Sequence, residues 1–284
     1  MRIELDDISL SFQPGTPFAV KALDRVSLMV RPGERLAIAG STGSGKSTLL
    51  GVMAGILRPA AGRVLHDGQA LSRKPRLQPG RIGLGLQSPE NCLFEKTVFD
   101  DVAFAPRRMG LDGERLGQRV MWALECVGLD AAASATREPF SLSVGEQRRV
   151  ALAGVIAAEP AVLLLDEPTA YLDPATRRDL LERLLAMNDE RGTTMVVVGH
   201  DMDELAVFAE RLVIMDDGRV AADGPADKLL KDEALLERYG LEAPGTVRLC
   251  RLLSGCAGRE FAAVLDEEQA ANLLQEIMGW GPGG

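Results

Sequence analysis

The sequence has few aromatic residues, no excess of basic charge, no paired cysteines and no long apolar run, and each shortage removes a class of function. Aromatics are 4% of the 284 residues, with two Trp and two Tyr. That is too few for the stacking platforms on which proteins hold single-stranded nucleic acid. The 32 Lys and Arg are outnumbered by 41 Asp and Glu, for a formal net charge of −9. No electrostatic footprint for bulk nucleic acid follows from that balance, and none is expected as a partner. The four cysteines, Cys92, Cys126, Cys250 and Cys256, make no C-x-x-C pair, and the only histidines are His66 and His200. A zinc set of the usual spacing cannot be assembled from them, so they read as reduced thiols. The longest apolar stretch, from Val150 to Ala158, falls far short of the ~18 residues a membrane span needs. The start, Met1 to Asp7, lacks a basic segment followed by an apolar one and does not read as a secretory signal. A cytosolic chain is expected, with a membrane partner left open.

What is present is ordinary for a globular protein: 46% hydrophobic and 26% charged residues, enough for a real core. Two short apolar strands, 8–12 and 26–30, bracket the turn-rich Gln13-Pro14-Gly15-Thr16-Pro17, which suits antiparallel pairing. Residues 35–39 form a third run that leads into glycines, and from there the β-rich runs 81–86, 161–165 and Thr194–Val198 are separated by polar helical stretches. This is the rhythm of an α/β sheet. Leu116, Val120, Met121, Leu124 and Val127 fall near helical spacing with no strand among them, so about 88–158 is read as a helical insertion. Asp217-Gly218 marks the turn of a hairpin between 213–215 and 219–222. The stretch 241–245 reads as a linker, dividing a domain 1–240 from an extension 241–284 that should carry one strand-like run and an amphipathic helix, Glu267–Met278.

Chemistry concentrates in three places. Gly40-Ser41-Thr42-Gly43-Ser44-Gly45-Lys46-Ser47 matches G-x-x-x-x-G-K-[ST] between a predicted strand and a helix, the context that motif requires. Its glycines let successive N–H groups curl around phosphates at the positive end of the next helix. Lys46 supplies a point charge, and Ser47, followed by Thr48, offers a hydroxyl to Mg²⁺. The run 161–165 ends in Asp166, a carboxylate placed to hold Mg²⁺ through its water shell. Glu167 follows and could orient or deprotonate an attacking water; the plainer alternative is that the two acids merely start a loop. Ser143 and Glu146 form a capping box at the head of a helix. Ser143, Gly145 and the free N–H groups there can also bind a phosphate, and both readings can hold together.

In order, Gly40 to Ser47, Gln87, Leu142-Ser143-x-Gly145, Leu165-Asp166-Glu167-Pro168-Thr169, Leu172-Asp173 and His200 resemble the ATP-binding cassette of ABC transporters over about residues 1–238. The resemblance implies a P-loop NTPase fold of the ABC ATPase kind, with an antiparallel β subdomain, a helical insertion and a small C-terminal extension. It implies ATP and Mg²⁺ as cofactors, Gln87 on Mg²⁺ and the attacking water, His200 on the γ-phosphate, and Asp173 in the D-loop. Phe12 looks like the aromatic that stacks on adenine, with Phe18 as second choice; the alternative is two core phenylalanines. Gln87-Ser88-Pro89-Glu90-Asn91-Cys92-Leu93-Phe94, then Thr97-Val98 and Asp101-Val102-Ala103-Phe104, resemble more narrowly the ATPases of energy-coupling factor transporters, importers of vitamins or of cobalt and nickel.

That subgroup implies a head-to-tail homo- or heterodimer at the cytoplasmic face of the membrane. Its partners would be a transmembrane coupling subunit and a separate substrate-capturing membrane protein. Glu90 would meet an arginine of a coupling helix, and the extension would serve dimerisation. One departure stands out: the family signature L-S-G-G-Q or L-S-G-G-E has Val144 in place of its first glycine here, and a carboxylate, Glu146, at its last position. A soluble ABC protein of DNA repair or translation would carry a long coiled-coil insertion or two cassettes, and this chain has neither. A P-loop GTPase or small-molecule kinase would leave the signature and His200 unexplained.

Overall fold

The computed structural model describes residues 1–71, 80–86, 92–257 and 261–278. Elements follow in the order β1 (Ile3–Phe12), β2 (Val20–Val30), β3 (Arg35–Gly40), α1 (Lys46–Met53), β4 (Ala61–His66), β5 (Gln69–Ala70) and β6 (Ile82–Gly85). Next come α2 (Val98–Arg108), α3 (Gly113–Cys126), α4 (Ala131–Ser134), α5 (Val144–Ile156), β7 (Val162–Asp166), α6 (Pro174–Arg191), β8 (Thr194–Val198) and α7 (Met202–Phe208). The chain closes with β9 (Arg211–Asp216), β10 (Arg219–Pro225), α8 (Ala226–Leu229), α9 (Glu233–Arg238), α10 (Gly245–Ala257) and α11 (Glu267–Met278).

Among the described residues the strands form two sheets. One has the order β2-β1-β4-β5 and antiparallel β1 pairings; the other has the order β10-β9-β3-β8-β7-β6 with a parallel centre. The first two strands are longer than the sequence suggested, because charged residues at their bends hide the alternation. Asp7 and Arg25 both adopt left-handed backbone, and the β1–β2 register shifts between Leu5 and Ile8. This bulge returns Ile8 and Leu10 to the buried face.

Central strands of the parallel sheet are buried on both faces, which is why they read as continuous apolar runs. Odd and even positions serve different cores. Ala37, Leu163, Leu165, Met195 and Val197 face the helices α5, α6 and α7. Leu36, Ile38, Leu164, Val196 and Val198 face α1 and the antiparallel sheet. Burying each large side chain is worth roughly 1.5–3 kcal/mol relative to exposure. The register sets Ile38 beside Val198 and Val198 beside Asp166, so β3, β8 and β7 end level. Ligands in open α/β sheets bind beyond the carboxyl ends of such strands.

The helical insertion is present as α2, α3, α4 and α5, with Val102, Val120, Leu124 and Val150 buried between them. Two expectations for the C-terminal part need correction. Residues 241–245 do not run free as a linker: Leu241 and Ala243 are buried against the main core, and the Gly245 N–H donates to Asp203 Oδ1 at 2.7 Å. The strand-like run is also missing, since the described residues of 246–278 hold two helices and no strand. Val247 and Cys250 of α10 are buried and Val247 joins the main core, because that face carries apolar residues three apart.

Phe208, at the end of α7, is the largest fully buried side chain described. Phe208→Ala should cost ~3–5 kcal/mol, and Phe208→Leu less than about 1.5 kcal/mol, by urea denaturation. A loss below about 1 kcal/mol for the alanine variant would show that this core is not tightly packed.

Candidate functional site

β3 delivers the chain to Gly40, and two glycines make the following loop possible. Gly40 has φ 150° and Gly45 φ 100°. A Cβ at Gly40 would stand 2.3 Å from the Met215 carbonyl oxygen, and one at Gly45 2.4 Å from that of Ala22. Gly45 is also the N-cap of α1 and carries no side chain to satisfy the first N–H groups. Those donors point into the loop, where an anion would meet them and the positive end of the helix dipole. Ser44 Oγ is buried there without a hydrogen-bond partner.

Lys46 Nζ donates to the carbonyls of Gly40 at 2.8 Å and Ser41 at 2.9 Å. Burial pulls its pKa down, and the carboxylates of Glu167 and Asp166 act in the opposite sense. Asp166 is buried at the end of β7. Burial pushes its pKa up, while the hydrogen bond from the Ser47 hydroxyl and the charge of Lys46 hold it down. Ser47 and Asp166 therefore set two hard oxygen ligands side by side, a donor set that fits Mg²⁺. Glu167 takes left-handed backbone at φ 50°, with its N–H donating to Val198 O at 2.9 Å. Its Oε1 lies 3.0 Å from His200 Nδ1. The imidazole is 71% exposed, on the loop leaving β8.

A cavity of about 680 Å³ lies over the phosphate loop, lined among others by Thr42, Lys46, Glu167, His200, Glu242 and Arg248, within the range of small-molecule sites. The structure thus brings together Gly40, Ser41, Thr42, Lys46, Glu167 and His200, with Ser47 and Asp166 behind them. Ser143 and Gly145 do not line that cavity. They stand at the head of α5, where Ser143 Oγ accepts from the Glu146 N–H and the Glu146 carboxylate accepts the Ser143 N–H at 2.8 Å. The capping box is therefore real. Asp173 caps α6, accepting from the N–H groups of Ala175 and Thr176 and from the Thr176 hydroxyl. Phe12 is 44% exposed and Phe18 76%, which removes the reading of two core phenylalanines. Gln87 and Glu90 lie outside the described residues.

A second set of contacts beside His200 has no signal in the sequence. Arg177 Nε donates to Leu172 O at 2.7 Å, and its Nη1 reaches Glu204 Oε1 at 3.3 Å; Glu204 also accepts from the Thr169 hydroxyl. Burial raises the Glu204 pKa. These residues are 27 and 35 positions apart, beyond any local spacing rule.

A phosphate loop, a buried carboxylate strand and an adjacent Glu–His pair at one sheet edge, with a helical insertion opening on a capped signature helix, define an ATP-binding cassette. The ABC transporter family model matches residues 23–170. The energy-coupling factor transporter ATP-binding protein EcfA2 of Symbiobacterium thermophilum is 52% identical over 88% of this chain and 87% of its own length. The EcfA2 of Clostridium perfringens is 38% identical over 98% and 99%. Among solved structures, cbiO1 from Clostridium perfringens, part of the ABC transporter complex cbiONQ, is similar with TM-score 0.73 and 33% identity over 88% of this chain and 98% of that one. The dimeric ATP-binding cassette MJ0796 bound to ADP and Pi gives TM-score 0.73 and 28% identity over 79% and 98%. The chain belongs to the energy-coupling factor transporter ATP-binding proteins, within the ABC transporter ATPases, and it is an ATPase.

Hydrogen bonds from the Ser143 N–H and hydroxyl, joined by Arg137, hold the Glu146 pKa below its ordinary 4.5. A depressed carboxylate stabilises the fold fully above its unfolded pKa and loses that contribution as pH falls through the folded value. The stability gap between the wild type and Glu146→Gln should therefore be constant from pH 7 to about 5 and shrink below about 4.5. A gap that widens in acid, measured by urea melts, would contradict the capping-box geometry.

Proposed function

We propose that this chain is the ATP-hydrolysing subunit of an energy-coupling factor type importer, bound peripherally at the cytoplasmic face of the membrane. It would power uptake of a vitamin or of cobalt or nickel ions. The observation that carries this reading is the Glu167 carboxylate, held by left-handed backbone against His200 at the edge of a phosphate loop. The N–H groups from Gly40 to Thr48 cradle the phosphates, Lys46 gives up its two loop carbonyls to neutralise them, and Phe12 stacks on adenine. Ser47, Asp166 and Gln87 would hold Mg²⁺, which when bound would offset phosphate charge.

Glu167 accepts a proton from the attacking water as its oxygen bonds to the γ-phosphorus. The bond to the β–γ bridging oxygen breaks, and ADP leaves with that electron pair. His200 steadies the γ-phosphate oxygens. Since Ser143 and Gly145 stand away from the loop of their own chain, they serve the nucleotide of a partner ATPase, identical or similar, in a head-to-tail dimer that Asp173 also faces. Val144, 56% exposed beside them, suits a face that closes against another chain. The similarity to energy-coupling factor transporter ATP-binding proteins supports the transporter class, and that to cbiO1, part of a transporter complex, supports assembly with other subunits. We assign residues 1–240 to the cassette and 241–284 to an extension that adds to the dimer interface.

Glu167→Gln keeps shape and removes the base. Hydrolysis should fall by ~10²-fold or more with ATP binding intact, and phosphate release at the wild-type rate would remove Glu167 from this role. Lys46→Ala should fail earlier, at nucleotide binding, by equilibrium titration with ATP. Unchanged affinity would count against the phosphate cradle.

A further inference from the structure

The cavity over the phosphate loop is not made by the cassette alone. Leu241, Glu242, Ala243 and Arg248, from the start of the C-terminal extension, line it together with His200 and Asp203. One hydrogen bond joins the two sides: the Gly245 N–H, at the first residue of α10, donates to Asp203 Oδ1 at 2.7 Å across 42 residues of sequence. Asp203 lies three residues beyond His200. Its carboxylate is not needed at the head of its own helix, because Asp201 caps α7 by accepting from the N–H groups of Asp203 and Glu204. It is turned instead to the N-terminus of a 13-residue helix, where a negative charge meets unpaired donors and the positive end of the dipole. α10 is a firm abutment, since Val247 and Cys250 are buried in it and Leu241 and Ala243 are buried just before it. Glu204, the next residue, is held by Thr169 of the loop after β7 and by Arg177 of α6. The segment after the imidazole is therefore held at two adjacent residues, Asp203 by the extension and Glu204 by α6 and the loop after β7.

We propose that Asp203 is a positioning residue for ATP hydrolysis: by fastening the segment after His200 to α10, it makes the C-terminal extension set where the imidazole stands. The proposal rests on the reading of His200 as the residue facing the γ-phosphate. Coupling of this kind between a distant element and a reacting group acts on turnover more than on binding. Asp203 is exposed, so replacing it leaves the core untouched.

The test uses the full chain, four single variants and one double variant, with kcat and KM for ATP measured by phosphate release. Asp203→Ala removes the acceptor. Gly245→Pro removes the donor at a first helical position, where proline is tolerated. Each should lower kcat by about tenfold with KM within about twofold, and the double variant should be no worse than either single one, as expected for two halves of one interaction. Asp203→Asn, which keeps an acceptor oxygen, should recover most of the rate. His200→Ala, in the same assay, separates the two levels of argument. If it abolishes hydrolysis while Asp203→Ala and Gly245→Pro turn over like the wild type, the positioning role is overturned and the reading of His200 stands. If His200→Ala hydrolyses normally, that reading and the proposal fall together. Additive losses in the double variant, or no recovery with Asn, would likewise overturn the role of this contact.

Discussion

Ile38 pairs with Val198, and Val198 with Asp166, and the position of every chemical group in the site follows from that row across three parallel strands. β8 lies between β3 and β7. The loop carrying His200 therefore emerges between the phosphate loop and the carboxylates, while Lys46, Glu167 and His200 meet although up to 154 residues separate them. The row is enforced by burial. Because odd and even positions of these strands serve opposite cores, a slip of one residue in β7 would turn Leu163 and Leu165 to the wrong face and lift Asp166 out of line. Packing away from the phosphate loop thus fixes the site's geometry.

Within that frame the charges hold one another. Burial acts against the charged forms of both Asp166 and Lys46, and each group's charge offsets part of the other's cost. Glu167 adds a second carboxylate next to the first, in a backbone conformation that costs about 1–3 kcal/mol for a residue with a Cβ. Its N–H bond to the Val198 carbonyl and its contact with His200 determine that conformation from two sides. Strain at this position turns the side chain away from the strand direction and toward the imidazole. An ordinary extended residue after Asp166 would place its side chain on the opposite face of the sheet.

What was legible in the sequence was local or strongly periodic. The phosphate loop is confined to eight consecutive residues, from Gly40 to Ser47, and its chemistry needs glycines at fixed offsets. β7 and β8 announce themselves because full burial makes them continuous apolar runs. The hairpin at Asp217-Gly218 follows from its turn residues. The failures were long-range. Leu241-Glu242-Ala243-Pro244-Gly245 has linker composition, yet its apolar residues find a core built by residues far away in sequence. Arg248 and Arg251, set among apolar residues after Gly245, obscured a helix whose buried residues, among those described, are Val247, Cys250 and Leu253. Neither Asp203 with Gly245 nor Thr169, Arg177 and Glu204 has a spacing signature, because such contacts are made by tertiary packing.

The departure at the signature is reconciled by its local geometry. A carboxylate at Glu146 is unfavourable beside a phosphate when it stands free. Here both its oxygens are occupied, one by the N–H and hydroxyl of Ser143 and the other by Arg137 at 3.2 Å. The cation balances the charge, and the capping box turns the carboxylate back onto its own helix. A β-branched residue restricts helix interiors by crowding the preceding turn, but Val144 is the first residue of α5 and has no turn of that helix before it. Gly145, by contrast, has little room: a Cβ there would stand 3.1 Å from the Leu172 side chain. Of the two positions that are glycine in most signatures, the one replaced in this chain is the one where a side chain can point outward, and the one kept is packed against the loop that ends in Asp173.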